Sequence, residues 1–377
     1  MVFNLIVVDE DPCHDWVRAF RKSEIRDLRV YQSSWPKLSL RHCAWNACVL
    51  DIEASDPDNC INFRGMDKPR RSIRVDFMLI RNYPKLLHGT DFTNLLLGLH
   101  FSGVRSVNSI WSIIQATNRA ILYASLNEIK RRVGDGAFPF IEASFHANLS
   151  HEPIREDVRF PCVAKIASSC AGYGKMRIKS RGDLNDLKGI LELHNDFYTL
   201  EPFCPSEYDI RLQGLGEHLR AYKRVETGDA WKRNTAEAGA RCEDIDVTPR
   251  YRKIAKEISA LFGGLDIFTV DLLRLKDGSD VILEINDSGS GIWESKYGWH
   301  SAAAKEGGSC GEDNERIRDI VVKRVLEARP DARKRGDDRA VATKAPSVPR
   351  KIDPRLLLSL QKKGGGGELI GRIDRGG

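Results

Sequence analysis

Two carboxylates, Asp271 and Glu284, carry the strongest chemical signal in this sequence of 377 residues. They lie in two β-rich runs, 265–275 and 281–287, on either side of an Asp-Gly turn. This pattern predicts a β-hairpin, and a two-residue loop would place the two carboxylates directly opposite each other. Facing like charges repel, so an otherwise apolar hairpin that keeps them favours a cation between them. Asn286 shares a strand face with Glu284, and the three side chains predict a magnesium site that bridges nucleotide phosphates.

A different hairpin geometry would remove this site. A three-residue loop shifts the register by one residue and separates Asp271 from Glu284. The two acids could also lie on the solvent face of an edge hairpin and bind nothing. Spacing alone leaves these interpretations open.

A glycine-containing segment upstream offers groups that suit phosphate. Lys165 lies inside the apolar run 161–167, and a lysine on a buried strand requires an anionic partner. The following segment ends in Ala-Gly-Tyr-Gly-Lys at Lys175. Backbone N–H groups freed by Gly172 and Gly174 can point at phosphates while the two lysines neutralise them. Taken alone, the segment fits an ordinary turn equally well.

The elements that must position these residues alternate as they do in α/β proteins. Strands are expected at 3–8 and 75–80, and helices near 16–20 and 92–99. No glycine fingerprint follows the first strand, so the usual dinucleotide-binding fold is not predicted. The first hundred residues therefore indicate an open α/β sheet.

Beyond residue 106 the pattern changes to helices and paired strands, as in an α+β domain. Thr248, followed by proline and apolar residues at helical spacing, predicts a helix that Gly263 ends. We expect one domain over 1–105 and a two-lobed domain over 106–330, divided near residue 200. Residues 331–377 are rich in charge, proline and glycine and predict a disordered basic tail.

Composition excludes several classes of protein. Lysine and arginine total 59 against 53 acids, and a formal charge of +6 is too slight for a nucleic-acid surface. Small anionic ligands or weak contact with acidic lipid suit it better. No segment approaches the roughly 18 apolar residues of a membrane span, and the first residues do not read as a signal peptide. The nine cysteines are scattered without Cys-x-x-Cys spacing, so we expect free thiols in the cytoplasm.

The order of these parts resembles the ATP-grasp proteins. A strand with a lysine, a glycine flap, a helix, Glu-Pro-Phe at 201–203, Tyr-Asp-Ile-Arg at 208–211 and a hairpin ending in Glu-x-Asn follow one another. Within that superfamily the chain resembles the synapsins, collinearly over about residues 3–295. The further matching motifs are Asp-Glu at 9–10, Asp-Trp at 15–16, Ser-Val-Asn-Ser at 106–109, Trp-Lys-Arg-Asn-Thr at 231–235 and Phe-Gly-Gly-Leu-Asp-Ile at 262–267.

The resemblance implies a pre-ATP-grasp domain followed by a two-lobed ATP-grasp domain, with lobes at about 106–200 and 201–330. It places the adenine hinge at 201–203 and the metal, Mg²⁺ or Ca²⁺, on Asp271 and Glu284, to which the strand spacing adds Asn286. The implied ATP contacts are Arg119, Lys165, Gly172, Tyr173, Gly174, Lys175, Glu201, Pro202, Phe203 and Asp209. Lys232 and Asn234 match a pair that faces the phosphates and are the catalytic candidates, although the polarity of a surface strand explains them equally well.

The resemblance to synapsins implies a protein that binds ATP with a divalent cation and forms a homodimer or higher oligomer. Such a protein would lie at the presynaptic surface of synaptic vesicles and regulate vesicle clustering and neurotransmitter release. Asn286 favours an alternative, because synapsins have a hydrophobic residue there and working ATP-grasp ligases have asparagine. The alternative is a carboxylate-amine or carboxylate-thiol ligase that forms an acyl-phosphate. A scaffold without nucleotide is a third possibility, against which the intact lysines and carboxylates argue.

Overall fold

The computed structural model describes residues 2–11, 14–53, 70–85, 91–148, 157–168, 173–193, 196–225, 241–292 and 311–329. The tail predicted at 331–377 lies outside these ranges. Strands and helices alternate in the N-terminal region and strands pair in the rest, so the prediction of an α/β protein is confirmed. No helix in the described ranges is long and apolar enough to cross a membrane.

A parallel sheet in the order β2-β1-β6-β7 forms the N-terminal region, beside an antiparallel sheet in the order β3-β4-β5. Strands β1 and β6 are almost continuously apolar, as parallel strands covered on both faces require. The antiparallel sheet is not indicated by the sequence pattern. The elements of this region are β1 (Phe3–Val8), α1 (Trp16–Phe20), β2 (Leu28–Ser33), β3 (Leu38–Ala44), β4 (Ala47–Glu53), β5 (Arg70–Arg74), β6 (Phe77–Ile80), α2 (Thr93–Phe101) and β7 (Arg105–Val107).

The next region contains a small antiparallel sheet in the order β10-β9-β11-β8, preceded by two helices. Its elements are α3 (Ile110–Thr117), α4 (Arg119–Val133), β8 (Ser144–His146), β9 (Cys162–Ile166), β10 (Lys175–Ile178), α5 (Arg181–Leu191) and β11 (Tyr198–Pro202). Three leucines of α5 pack on this sheet, in one apolar cluster with Ile178 of β10 and Ala164 of β9. We call it the small sheet.

The last region contains a five-stranded antiparallel sheet in the order β14-β13-β12-β15-β16, which we call the large sheet. Its elements are β12 (Ser206–Leu215), β13 (His218–Val225), β14 (Arg241–Ile245), α6 (Pro249–Ser259), β15 (Ile267–Leu275), β16 (Asp280–Asn286) and α7 (Glu312–Ala328). Helix α6 begins as predicted, because the side chain of Thr248 accepts a hydrogen bond from the N–H of Tyr251. It ends at Ser259, and a 3₁₀ turn at Leu261–Gly263 follows, so the predicted end at Gly263 is that of the turn.

Two apolar cores hold these regions together. The larger one joins α4 and α6 to the large sheet, through residues such as Leu126, Ile254 and Val270. The other joins the N-terminal sheet to α7, where Leu5 and Val321 belong to the same cluster. The predicted domain boundaries at 105, 200 and 330 stay predictions, because the described contacts do not test them.

Candidate nucleotide and metal site

The predicted carboxylate pair is confirmed, but the hairpin that carries it differs from the predicted one. Asp271 and Glu284 are direct partners in the register of β15 and β16. The loop has three residues instead of two: the N–H of Leu275 donates to the carbonyl of Ser279 at 2.8 Å, and Gly278 takes a positive φ of 81°. Such a loop is a common hairpin connection that needs a left-handed residue.

A β-bulge restores the pairing that this loop would otherwise remove. Close to the turn the strands are one residue out of the predicted register, with Leu272 opposite Ile282. The register then shifts, leaving Leu283 as the extra residue, and Asp271 falls opposite Glu284. The predicted pairing is therefore right although the predicted loop length is wrong.

Asp271 is buried and surrounded by N–H donors. Arg211 binds it in a bidentate manner, with Nε–Oδ1 at 2.9 Å and Nη2–Oδ2 at 3.1 Å. Arg224 Nη2 donates to Oδ1 at 3.2 Å, and Asn286 Nδ2 donates to Oδ2 at 3.1 Å. These four contacts occupy the four lone-pair directions of a carboxylate. Burial by itself would raise the pKa of Asp271, but the charges of Arg211 and Arg224 hold it well below its usual range.

This geometry corrects the electrostatic argument for a metal. The cation that stabilises Asp271 is a guanidinium group, so the carboxylate pair does not by itself require a metal ion. The signal was present in the sequence, because Arg211 belongs to a β-rich run and pairs with Asp271 in the register of β12 and β15. A buried arginine on an apolar strand needs an acid opposite it.

Glu284 is held more loosely, by a residue of the small sheet. Lys175 Nζ lies 3.4 Å from each of its carboxylate oxygens. Burial favours a raised pKa, but the positive charges of Lys175, Lys165 and Arg119 outweigh it and the pKa of Glu284 is lowered. Three cationic side chains therefore act on one carboxylate that keeps acceptor positions for a ligand.

The predicted ligand set fits a hard divalent cation in part. Glu284 and Asn286 offer the oxygen donors that Mg²⁺ and Ca²⁺ prefer. The amide oxygen of Asn286 accepts from Tyr83 Oη at 3.0 Å, and Asp271 must exchange one of its four N–H contacts before it can join them. Among the described residues, no three histidine, cysteine, aspartate or glutamate side chains form a metal cluster.

Lys165 has the anionic partner that its buried position predicts. Its Nζ lies 2.7 Å from Glu201 Oε1, and both side chains are at most 4% exposed. The same ammonium donates to Tyr123 Oη at 2.9 Å, and that hydroxyl lies within 3.4 Å of Glu201 and of the carbonyl of Leu283. Burial and the charge of Glu201 raise the pKa of Tyr123 well above its ordinary value. Tyr123 thus connects the small sheet to β16.

The other predicted nucleotide contacts are spread around this centre. Arg119 is buried at the start of α4, where its Nη1 donates to the carbonyl of Ala167. Phe203 follows β11 and lies under the guanidinium of Arg177, 5.1 Å from ring to Cζ. Tyr173 is 55% exposed, and Gly174 beside it takes a φ of 59°.

Some predicted residues lie elsewhere or cannot be placed. Asp209 is buried on β12, with Arg224 at 3.8 Å. Strand β15 separates β12 from β16, which carries Glu284. Pro202 ends β11 and is exposed. The flap glycine Gly172 and the catalytic candidates Lys232 and Asn234 lie outside the described residues.

A cavity of about 350 Å³ opens beside Glu284. Its walls come from the N-terminal region, α4, the small sheet and β16, and its polar lining includes Tyr83, Lys85, Arg119, Ser168, Glu284 and Asn286. Of the predicted site residues, Arg119, Glu284 and Asn286 line this cavity, whereas Lys165 and Lys175 lie behind its walls, in contact with Tyr123 and Glu284. Tyr83 and Tyr123 were missed. Tyr123 lies one helical turn after Arg119, a spacing that places both on one face of α4, whereas nothing local in the sequence singles out Tyr83.

Comparison with known proteins gives a consistent result over most of the chain. The model described as the synapsin pre-ATP-grasp domain matches residues 1–106, and the synapsin ATP binding domain matches residues 108–299. Synapsin of Drosophila melanogaster is 29% identical over 330 residues, which is 86% of this chain. The match spans 30% of the length of the fly protein.

Solved structures with this fold are ATP-grasp proteins of low sequence identity. A RimK-domain ATP-grasp protein from Sphaerobacter thermophilus has a TM-score of 0.53 at 15% identity, covering 85% of this chain and 99% of its own. D-alanyl-alanine synthetase A from Vibrio cholerae has a TM-score of 0.54 at 11% identity, covering 87% and 98%. The ATP-grasp ligase PsnB, solved with a precursor variant, Mg and ADP, has a TM-score of 0.51 at 12% identity, covering 87% and 98%.

The likeness to solved structures establishes the fold. The two family models go further, because together they match residues 1–106 and 108–299. The order of motifs in the sequence, the paired carboxylates of β15 and β16 and the lysines of the small sheet agree with that assignment. The chain belongs to the synapsin family, with a pre-ATP-grasp domain followed by an ATP-grasp ATP-binding domain.

Proposed function

We propose that this protein binds ATP together with a divalent cation in the cavity beside Glu284. The observation that carries the proposal is that Arg119 and Glu284 line this cavity together while Lys175 Nζ lies 3.4 Å from both carboxylate oxygens of Glu284. Positive charges gathered from separate elements around one acid suit a polyphosphate. The 3.4 Å contacts of Lys175 are long, so this lysine can turn to a phosphate at little cost.

The cation would be held by Glu284 and Asn286, with Asp271 joining if it releases an N–H donor. A bound Mg²⁺ or Ca²⁺ ion would neutralise phosphate charge that the lysines do not reach. Lys165 would keep its contact with Glu201 and act through its field, because its ion pair at 2.7 Å is buried. The adenine would lie against the segment 201–203, as the family resemblance implies.

We propose further that nucleotide occupancy regulates association with synaptic vesicles and assembly into dimers or larger oligomers. This rests on membership of the synapsin family and on the fly relative. Lys175 belongs to β10, directly after the flap, whereas Glu284 belongs to the large sheet. A nucleotide that replaces the contact between them would change how the small sheet is held against the large sheet, and this would couple ATP binding to the arrangement of the two sheets.

Titration calorimetry tests the binding proposal. ATP should bind with measurable heat in the presence of Mg²⁺ or Ca²⁺, and Lys175→Met should weaken that binding at least tenfold. Lys179→Met is the matched control, since Lys179 is exposed just beyond β10. Absence of binding with either cation would overturn the proposal and favour the scaffold without nucleotide.

An ATP-grasp ligase is the second candidate, and one observation favours it. The cavity beside Glu284 extends to Tyr83 and Lys85 of the N-terminal region, so it has room for an acceptor next to the phosphates. Incubation with ATP and a mixed pool of amino acids, with ADP measured over time, tests this activity. Sustained ADP release that disappears in Glu284→Gln would establish the ligase, whereas binding without turnover would leave ATP as a regulatory ligand.

A further inference from the structure

Two cysteines face each other beside the turn of the hairpin formed by β3 and β4. Cys43 and Cys48 are direct partners in the register, next to the pair Ala44 and Ala47 that closes the turn. Directly opposed residues on antiparallel strands have Cα atoms about 4.5–5.5 Å apart. That separation lies inside the range of about 4.4–6.8 Å that a disulfide bond spans. The two thiols can therefore be joined without a change of register.

The two sulfur atoms also point to the same side of the hairpin. Cys43 Sγ donates to the carbonyl of Gly98 at 2.9 Å and lies 3.5 Å from Ser102 Oγ. Directly opposed residues of a hairpin project from the same face, so the Cys48 sulfur also lies on the side of the hairpin that faces the end of α2.

The two thiols differ in access, as the two partners of a reversible disulfide usually do. Cys43 is partly exposed, whereas Cys48 is 2% exposed. Burial raises the pKa of the Cys48 thiol, so it stays protonated while Cys43 meets solvent first. The three other described cysteines have different partners: Cys162 faces Ile178, Cys242 faces Arg224, and the Cys204 thiol donates to the carbonyl of Pro202.

We propose that Cys43 and Cys48 form a reversible disulfide bond when the protein meets a peroxide. The Cys43 thiolate attacks one peroxide oxygen, the O–O bond breaks, and Cys43 becomes a sulfenic acid with release of water. The Cys48 sulfur then attacks the Cys43 sulfur, the S–O bond breaks, and the hydroxide leaves as water with the Cys48 proton. The sulfur pair loses two electrons, which reduce the peroxide to two waters. A small thiol such as glutathione reverses the bond by two exchange steps.

The bond would alter the contact between the hairpin and α2. Cys43 would lose its S–H donor and with it the hydrogen bond to Gly98 and the contact with Ser102. Trp45, at the turn between the two cysteines, is 74% exposed and would report the change. Thr93, at the other end of α2, lines the cavity beside Glu284, so the modification lies on a helix shared with the proposed nucleotide site. The disulfide itself does not depend on nucleotide binding.

Mass spectrometry of the full chain tests the proposal. The protein is treated with hydrogen peroxide, the remaining thiols are alkylated, and trypsin and chymotrypsin are added without reductant. Cleavage after Arg41, Trp45 and Leu50 separates Cys43 from Cys48, and Cys60 falls in a third fragment. We expect fragments 42–45 and 46–50 to remain joined, lighter by two hydrogen atoms, until dithiothreitol releases them.

Three variants complete the experiment. Cys43→Ser and Cys48→Ser should each abolish the joined fragment, and Cys242→Ser should leave it unchanged. The proposal is overturned if wild-type protein carries sulfinic acid on Cys43 with Cys48 still alkylated, or if either cysteine is joined to a different one. Because the wild-type product is measured directly, failure of a variant to fold does not obscure the result.

Discussion

Asp271 and Glu284 face each other across β15 and β16, yet each is neutralised from a different sheet. Asp271 takes both contacts of Arg211 from its own sheet, at 2.9 and 3.1 Å. Glu284 meets Lys175 from the small sheet at 3.4 Å. One carboxylate is therefore fixed by the fold, and the other is available to a ligand that enters between the sheets.

Removal of Arg211 should destabilise the fold. In Arg211→Met the buried carboxylate of Asp271 loses its bidentate partner, and we expect the free energy of unfolding to fall by about 3–5 kcal/mol. The double variant Arg211→Met with Asp271→Leu should recover part of that loss, because the buried carboxylate is removed together with its bidentate partner. Urea unfolding measures the free energy of unfolding of wild type and of both variants. Equal midpoints for wild type and the single variant would contradict this account.

The two lysines of the small sheet should behave differently. Lys165→Met leaves Glu201 buried without its cation and should cost about 3–5 kcal/mol of stability. Lys175→Met removes only a long contact and should change stability little while it weakens ATP binding. Thermal unfolding of the two variants without nucleotide distinguishes them. If both are equally destabilised, Lys175 is a structural residue and not a ligand of phosphate.

Tyr123→Phe should lower stability by about 1–2 kcal/mol, because Lys165 and the carbonyl of Leu283 each lose a buried hydrogen-bond partner. The aromatic packing of the ring on Phe140 is retained, so the change isolates the hydroxyl. Urea denaturation provides the measurement. A variant as stable as wild type would mean that water replaces the hydroxyl at no cost.

Asp9 should give stability that depends on pH. Burial by itself raises its pKa, but hydrogen bonds from His14 and Trp16 and the charge of Arg81 lower it below 3.8. Its contribution is therefore present above about pH 3.8 and is lost as the pH falls through the lower folded value. In Asp9→Asn, the amide NH₂ group faces another hydrogen-bond donor whichever way the side chain is turned. The free energy of unfolding should therefore fall by about 1–3 kcal/mol at pH 7.

The loss of stability in Asp9→Asn should shrink as the pH falls below about 3.8. Wild-type Asp9 then takes up a proton in the unfolded chain first, and in the folded protein at a lower pH. Asp15→Asn is the matched control. Asp15 caps α1 through the N–H of Arg18, and asparagine caps equally well. Unfolding midpoints of the three proteins between pH 3 and pH 7 give the comparison. A loss that is constant over this range would exclude a role for the Asp9 charge.

The sequence predicted the elements whose boundaries depend on neighbouring residues in the chain. Thr248 marks the start of α6 because its hydroxyl caps the adjacent helix, and β1 is visible as an apolar run. The three-residue loop at Gly278 and the bulge at Leu283 were not predicted, because each is compatible with the same composition and only packing of the large sheet decides between registers.

The residues of the candidate site likewise divide into those that the sequence identifies and those that it does not. Lys165 and Glu284 could be selected because their residue types conflict with their apolar surroundings, and Lys175 because it follows two glycines in a loop that suits phosphate. Tyr83 could not, because its contact with Asn286 joins residues 203 positions apart. Arg224 reaches Asp271 from a strand that is not its neighbour, which no pairwise pattern in the sequence reveals. Sequence thus identifies several charged centres, whereas the partners that reach them from distant elements emerge only from the three-dimensional arrangement.

The packing of α7 on the N-terminal sheet has a consequence for biosynthesis. Leu5 and Val7 share their core with Ile317, Val321 and Val325, so one face of the first sheet is covered by a helix translated some three hundred positions later. While the ribosome adds the intervening chain, that face stays uncovered and exposes apolar surface. The nascent protein thus has a long interval in which chaperones can bind, and its N-terminal sheet matures only when α7 emerges.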